Sequence, residues 1–259
     1  IKKYLKSDIS KIKFYNFKID GSYKTKLEKI VNKKDYIVNC IGIIKPYIAE
    51  NDSESLKNAL NVNSIFPHVL NDCVKKSVKI FQIATDCVYD GIKGKYHEND
   101  AHNAKDVYGK SKSLGEVKSE NFFNIRCSII GNEIKSFKSL LCWFLNQKKN
   151  SHIYGFKNHM WNGITTKHFG KIVSILITKR IKIPNMLHIV PSNIVSKFEL
   201  LKIFQEKFNR YDLKITKINA DVVINRTLKS NLMSINKKIN KSLGLRMCPS
   251  IKQMINEII

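Results

Sequence analysis

The sequence predicts an α/β protein: a doubly wound parallel sheet with a smaller C-terminal lobe. Two observations lead there. Three short runs, "DYIVNCIGII" (35–44), "VKIFQIAT" (78–85) and "FNIRCSIIG" (123–131), are β-rich and almost continuously apolar. That is the mark of strands covered on both faces. Helical patterns lie between them, and strand–helix alternation implies right-handed crossovers and a parallel sheet.

Each element follows in order along the chain. "IKFYNF" (12–17) reads as a strand, and "YKTKLEKIVNK" (23–33) as the helix leading into the 35–44 strand. Residues 53–76 place Leu56, Leu60, Val69, Leu70 and Val74 on a helix, and Pro67 inside it predicts a kink or a short break. Residues 106–120 form the next helix. Further on, "TTKHFGKIVSILITK" (165–179), "SKFELLKIFQEKF" (196–208) and "SIKQMINEII" (250–259) are amphipathic, separated by loops holding Pro184, Pro191 and Pro249. We therefore expect a sheet domain over 1–132 and mainly a second lobe over 133–259, with return strands to the main sheet allowed. No internal repeat or low-complexity tract is present.

Composition narrows the function. With 259 residues and 43% hydrophobic content, the chain can bury a large core. No apolar run approaches the roughly 20 residues that span a bilayer, so no membrane partner is expected. The start, "IKKYLKSDIS", lacks the apolar stretch of a signal peptide. The six cysteines at 40, 73, 87, 127, 142 and 248 show no C-x-x-C spacing. Neither a metal site nor a disulfide framework is expected, and a reducing cytoplasm is the simple reading. The seven histidines share no ligand spacing and read as bystanders. The net charge of +25 suggests nucleic acid, but only five of the 46 basic residues are arginine and the lysines are scattered. That pattern is a solvated surface rather than a phosphate-reading patch, so nucleic acid is not an expected partner.

In an open parallel sheet, ligands bind beyond the carboxyl ends of the strands. Here those tips are "NCIG" (39–42), "ATDCVYDG" (84–91) and "RCSIIG" (126–131). They bring Asn39, Thr85 and Ser128 to one crevice. Tyr108 and Lys112 stand four apart on the following helix, with β-carbons about 6 Å from each other. A free phenol titrates near pH 10, and a nearby ammonium favours the phenolate. Such a phenol is a suitable general acid for a carbonyl receiving hydride, with Thr85 bonding the same oxygen. By itself a Y-x-x-x-K spacing in a lysine-rich chain is weak evidence.

The ordered set is stronger. "NCIGIIKP", "ALNVNSIFPHVL", "TDCVYDG", "VYGKSKSLGEV", "RCSIIG" and "NRTLKSNLM" (225–233) follow one another across nearly the whole chain. This series resembles the extended short-chain dehydrogenase/reductases, in particular the dTDP-4-dehydrorhamnose reductase-like (RmlD-like) branch. The resemblance implies a Rossmann-type sheet and an NAD(P)-dependent oxidoreductase (EC 1.1.1.-). It also implies NADPH, with NADH as the other option, and a nucleotide-linked keto-deoxysugar substrate in surface polysaccharide synthesis. It assigns Tyr108 as proton donor, Lys112 to the nicotinamide ribose and Thr85 to the substrate carbonyl. Cys40, Ile41, Gly42, Asn63 and Ser128 fall to the cofactor, together with Tyr108 and Lys112. Asp86, Cys87, Ile129, Asn162 and Arg226 fall to the substrate. Asp86 could equally cap a turn, Trp161 could stack on the ligand or fill the core, and Arg126 reads as one half of a structural ion pair. A homodimer is left open.

Three departures accompany the resemblance. The glycine-rich turn after the first strand is absent; its place lies before Ile1, so we expect the first strand and that turn to be missing from this sequence. Cys87 and Ile129 stand where rhamnose-pathway enzymes often carry aromatic groups, which points to a different sugar. No acidic residue for the ribose follows "IKFYNF". The rival readings are an epimerase or dehydratase, and a non-catalytic NAD(P)-binding regulatory subunit. A dehydratase would pair Asp with Glu after the threonine, and only Asp86 follows Thr85 directly.

Overall fold

A computed structural model describes residues 12–16, 18–20, 22–31, 34–133 and 138–258. Through the first half, the chain runs α1 (Tyr23–Val31), β1 (Tyr36–Asn39), α2 (Ser53–Leu60), α3 (Phe66–Asp72), β2 (Lys79–Ala84), α4 (Val107–Leu114) and β3 (Phe122–Arg126). The apolar runs become strands where each finds a ladder partner. β1 pairs parallel with β2, Tyr36 opposite Lys79, and β2 with β3, Ile80 opposite Phe122. β2 and β3 are covered on both faces, with Ile80, Phe122 and Ile125 fully buried, while Tyr36, Ile37 and Val38 of β1, at the end of the order, are half-buried.

The strand expected at 12–17 is absent over its described residues. Residues 12–16 have no regular structure, and residue 17 lies outside the described set. Ile12 packs against the core, but Phe14 and Tyr15 are exposed. An alternating pattern makes a strand only where a ladder accepts it, and no described strand pairs with this stretch.

Between β1 and β2, a helix of normal pitch widens into a π-turn at Asn61–Ile65. Pro67 is the cause. It has no N–H to give, and its ring would meet the carbonyl of residue 63 in a regular helix. The predicted break therefore lies just upstream of the proline. The helix read over 106–120 stops at Leu114, because Gly115 packs directly on the backbone carbonyl of Asn63, where no β-carbon fits.

The second half contributes β4 (Ile129–Ile130), α5 (Leu140–Leu145), β5 (His152–Phe156), β6 (His159–Trp161), β7 (Ile164–Thr165), α6 (Thr166–Thr178) and β8 (Met186–His188). It continues with β9 (Val195–Ser196), α7 (Lys197–Lys207), β10 (Lys214–Ile218), β11 (Ile224–Asn225), α8 (Met233–Ser242) and α9 (Ile251–Asn256). β8 returns to pair parallel with β3 and completes a sheet ordered β1–β2–β3–β8. α6 lays Phe169, Ile172, Val173 and Leu176 against Phe81, Ile125 and Leu187 of that sheet. Each such side chain contributes about 2 kcal/mol on full burial. Helix 165–179 therefore belongs to the sheet layer.

The remaining elements form a second core. Leu141 and Phe144 of α5 pack with Leu200, Leu201 and Phe204 of α7 and with Ile251 and Ile255 of α9. Short pairings organise it: β5 with β10, β6 between β11 and β9, and β4 with β7. Among the described residues, no helix is long and apolar enough to cross a membrane, and no three His, Cys, Asp or Glu side chains gather as metal ligands.

Candidate active site

Thr85 follows β2 in extended backbone and turns the chain. Its hydroxyl accepts from Cys87 N at 3.2 Å, and it donates to Asp86 Oδ1 at 3.3 Å. α4 is seated against this turn. Asp106 caps it by accepting from Gly109 N at 2.8 Å. Gly109 is required at the contact, since a β-carbon there would run into Cys87 O. The glycine after Tyr108 therefore sets how closely the tyrosine helix approaches the threonine turn.

Lys112 is buried, and its Nζ donates to the Ile83 carbonyl at 3.0 Å, two residues before Thr85. A β-carbon at Gly42 would lie 3.8 Å from that ammonium and 3.4 Å from Asn63 Oδ1. Gly42, Asn63 and Lys112 thus meet at the tip of β1. Asn63 accepts from Ile43 N at 2.8 Å and donates to Ile43 O at 3.0 Å and to Ser111 Oγ at 3.1 Å. Its amide ties the β1 loop to α4, and the π-turn aims it there. Asn39 is held by Gln82 Oε1 at 2.8 Å and fixes the turn into Cys40 and Ile41 by accepting from Ile41 N at 3.0 Å. Cys40 is exposed and Ile41 half-buried.

The electrostatics differ from the sequence expectation in one respect. Burial drives the Tyr108 phenol above the ordinary tyrosine range; the Cys87 thiol and the acids Asp86 and Asp106 push the same way, and a hydrogen bond from Thr85 opposes them. The Lys112 ammonium donates to Ile83 O. Burial lowers Lys112 itself to about 8, with Glu116 and then Cys40 holding it up. Asp86 is raised by burial, against the pull of Arg226 and Lys197. Burial, reinforced by Asp86, pushes the Cys87 thiol up to about 12, so it is neutral.

The other singled-out residues divide. Arg226 reaches the crevice with Nε on Tyr89 O at 2.8 Å. Ile129 lies half-buried in β4 beside Ser128, whose hydroxyl accepts from Trp161 Nε1 at 2.8 Å. Trp161 is buried in the second core. Asn162 donates to Leu228 O at 2.7 Å and accepts from Leu228 N at 2.9 Å, so its amide anchors the segment after β11.

Sequence reasoning missed two features. His102 and His188, read as bystanders, lie 2.7 Å from the guanidinium of Arg126, which is fully buried and paired with Glu116. Lys197 was passed over as well. The capping box "SKFE" puts it in the first turn of α7, but nothing in the sequence separates it from the other lysines.

Against known proteins, the family described as RmlD substrate binding domain matches residues 1–258. The dTDP-4-dehydrorhamnose reductase of Bacillus anthracis str. Ames, solved in complex with NADP, superposes with a TM-score of 0.76 at 17% identity, covering 98% of this chain and 92% of that one. The corresponding enzyme of Yersinia enterocolitica gives 0.73 at 17% identity, covering 98% and 93%. These likenesses establish the Rossmann-type α/β fold. Methionine adenosyltransferase 2 subunit beta of Danio rerio is 39% identical over 82 residues, 31% of this chain and 24% of that protein. The matched stretch thus spans about a quarter of that relative's length.

Proposed function

The chain belongs to the RmlD substrate binding domain family, and from that premise we propose that it reduces the keto group of a nucleotide-linked deoxysugar with NADPH or NADH. The observation that carries this is the meeting of Thr85, Tyr108 and Lys112 around the tip of β2. The residues fit a nicotinamide cofactor: Gly42 leaves open the space in front of the Lys112 ammonium that a side chain would fill. Lys112, Gly42 and the backbone of Cys40 and Ile41 would hold it, with Asn63 fixing their loop. Ser128 is its remaining neighbour in this reading. When bound, the cofactor supplies hydride to the sugar carbonyl.

The protein's own residues handle the proton. A phenol that stays protonated through the neutral range is an acid in waiting. Tyr108 donates to the oxygen that gains charge, and Thr85 hydrogen-bonds that same oxygen. Asp86, Cys87, Ile129 and Arg226 shape the sugar side, with Arg226 suited to a diphosphate. Asn162 acts through the segment it anchors. In this reading the product feeds surface polysaccharide synthesis, and the scattered cysteines support a reducing cytoplasm as its setting.

The test is a panel of nucleotide-linked keto sugars with NADPH and with NADH, followed by loss of reduced nicotinamide. Oxidation with at least one sugar is expected, and none with any sugar would refute the reading. The 82-residue likeness to a methionine adenosyltransferase subunit favours one second reading, a regulatory NAD(P)-binding subunit. Cofactor binding without turnover of any keto sugar would select it.

A further inference from the structure

The fully buried Arg126 guanidinium can only donate, and each of its N–H groups is taken. Nε and Nη2 go to the two oxygens of Glu116, Nη2 also to His102 Nε2, and Nη1 to Tyr89 Oη and His188 Nε2. The His188 Nε2 that meets it at 2.7 Å must therefore offer a lone pair. The other ring nitrogen, Nδ1, lies 2.9 Å from the Lys229 carbonyl, which can only accept, so Nδ1 carries the hydrogen. The two ends together fix one form of the ring: neutral, with its proton on Nδ1. His102 is not fixed in this way. Its Nε2 also lies 3.4 Å from Glu116 Oε2 and its Nδ1 meets a hydroxyl, Ser113 Oγ at 2.6 Å, so its charged form finds partners too.

His188 joins parts of the chain that are distant in sequence. Its ring spans from Arg126 of β3 to the segment after β11, and its backbone N–H donates to Glu98 Oε1 at 3.2 Å. Glu98 accepts in turn from Ser230 Oγ at 2.6 Å and from Asn231 N at 3.0 Å. Asn236 of α8 donates to His188 O at 3.2 Å and to Ser230 Oγ at 3.0 Å. The same segment begins with Arg226, whose Nε holds Tyr89 O. Residues 226–231 are thus tied to the main sheet through this histidine.

A proton on Nε2 would set donor against donor and cation against cation in the interior. Burial, and then Arg126, hold the ring below the ordinary histidine range; Glu98 and the carbonyls of Lys229 and Tyr96 pull the other way. Burial opposes the Glu98 charge, but the bonds from Ser230 and Asn231 outweigh it and hold that carboxyl below its usual range. The unfolded chain takes up a proton near pH 6.5 that the folded ring refuses, so this group costs stability as pH falls below about 6.5.

We propose that His188 is an acid-operated clasp: as a neutral imidazole it holds residues 226–231 on the sheet, and a proton on its Nε2 releases that segment from the crevice. The inference does not depend on which substrate the crevice takes.

Heteronuclear NMR of the imidazole nitrogens, hydrogen exchange and urea unfolding of the full chain test it. At pH 7, His188 is expected with Nδ1 protonated and Nε2 bare; an Nε2–H form or an imidazolium would overturn the assignment. From pH 6.5 to 5, protection of a peptide spanning 226–231, corrected for intrinsic exchange, is expected to fall ahead of that of β2 and β3. His188→Gln keeps an acceptor and a donor but cannot take the proton. In that variant the segment should stay protected, and the folded-to-unfolded ratio should lose about one tenfold step per pH unit of its pH dependence. His102 and the buried His168, both lowered by burial, remain in place, so the difference belongs to His188. Wild-type protection that stays level with the sheet, or a pH dependence unchanged in His188→Gln, would overturn the proposal. Should His188→Gln fail to fold, the wild-type tautomer and exchange decide it by the same criteria.

Discussion

Arg126 and Glu116 form a two-pronged ion pair in the interior: Nη2 to Oε2 at 2.6 Å and Nε to Oε1 at 3.1 Å, with the side chains 1% and 6% exposed. Tyr89 Oη, His188 and His102 surround the same guanidinium, each at 2.7 Å. Removing one partner strands a buried charge. Glu116→Gln is expected to cost about 3–5 kcal/mol in urea unfolding. Replacing both partners with apolar residues of similar volume should recover most of that loss. A single variant as stable as wild type would show that the pair is not a structural tie.

Tyr108→Phe removes the proposed proton donor and keeps the ring. We expect turnover to fall about 100-fold with cofactor affinity nearly unchanged. Single-turnover rates and a fluorescence titration of NADPH measure the two separately. Full activity in this variant would remove Tyr108 from the chemistry.

Lys112 links pH to stability and activity in opposite directions. Burial lowers its folded-state pKa to about 8, below its ordinary value of 10.5. Between those values the unfolded chain holds a proton that the folded chain lacks, so this group makes the fold more stable as pH rises through the window. The proposed ribose contact uses the ammonium, so affinity for NADPH should decline as pH rises past about 8. Lys112→Met should abolish both trends. A cofactor affinity flat from pH 7 to 9.5 would contradict the assigned contact.

Gly109 holds α4 on the Thr85 turn. Gly109→Ala forces the helix away from Cys87 O, at a cost of about 1–3 kcal/mol. Turnover should fall more than the stability change explains, because the displacement separates Tyr108 from Thr85. Thermal melts and kcat on the same preparation decide this. A variant with wild-type kcat would mean that the approach of helix to turn is not critical.

Much of this was legible in the residues. The three apolar runs and the tyrosine–lysine spacing fixed the sheet and placed Thr85, Tyr108 and Lys112, because burial on both faces and helical pitch are local signals. What stayed hidden depends on distant partners. "IKFYNF" has a strand's alternation but no described ladder to join. The anchoring of the segment after β11 by Asn162 depends on Leu228, 66 residues away. His188 acquires its role only when segments far apart in sequence bring Arg126 beside it.

The path of the chain between its two cores has a consequence for how the protein can be divided. α6 and β8 are encoded after β5 and β6, yet they complete the main sheet. The polypeptide then leaves again to build α7. A cut at residue 132 would therefore uncover Phe81 and Ile125 and strip β3 of a neighbour. The two halves are stitched together, and neither is a module that could be transplanted alone.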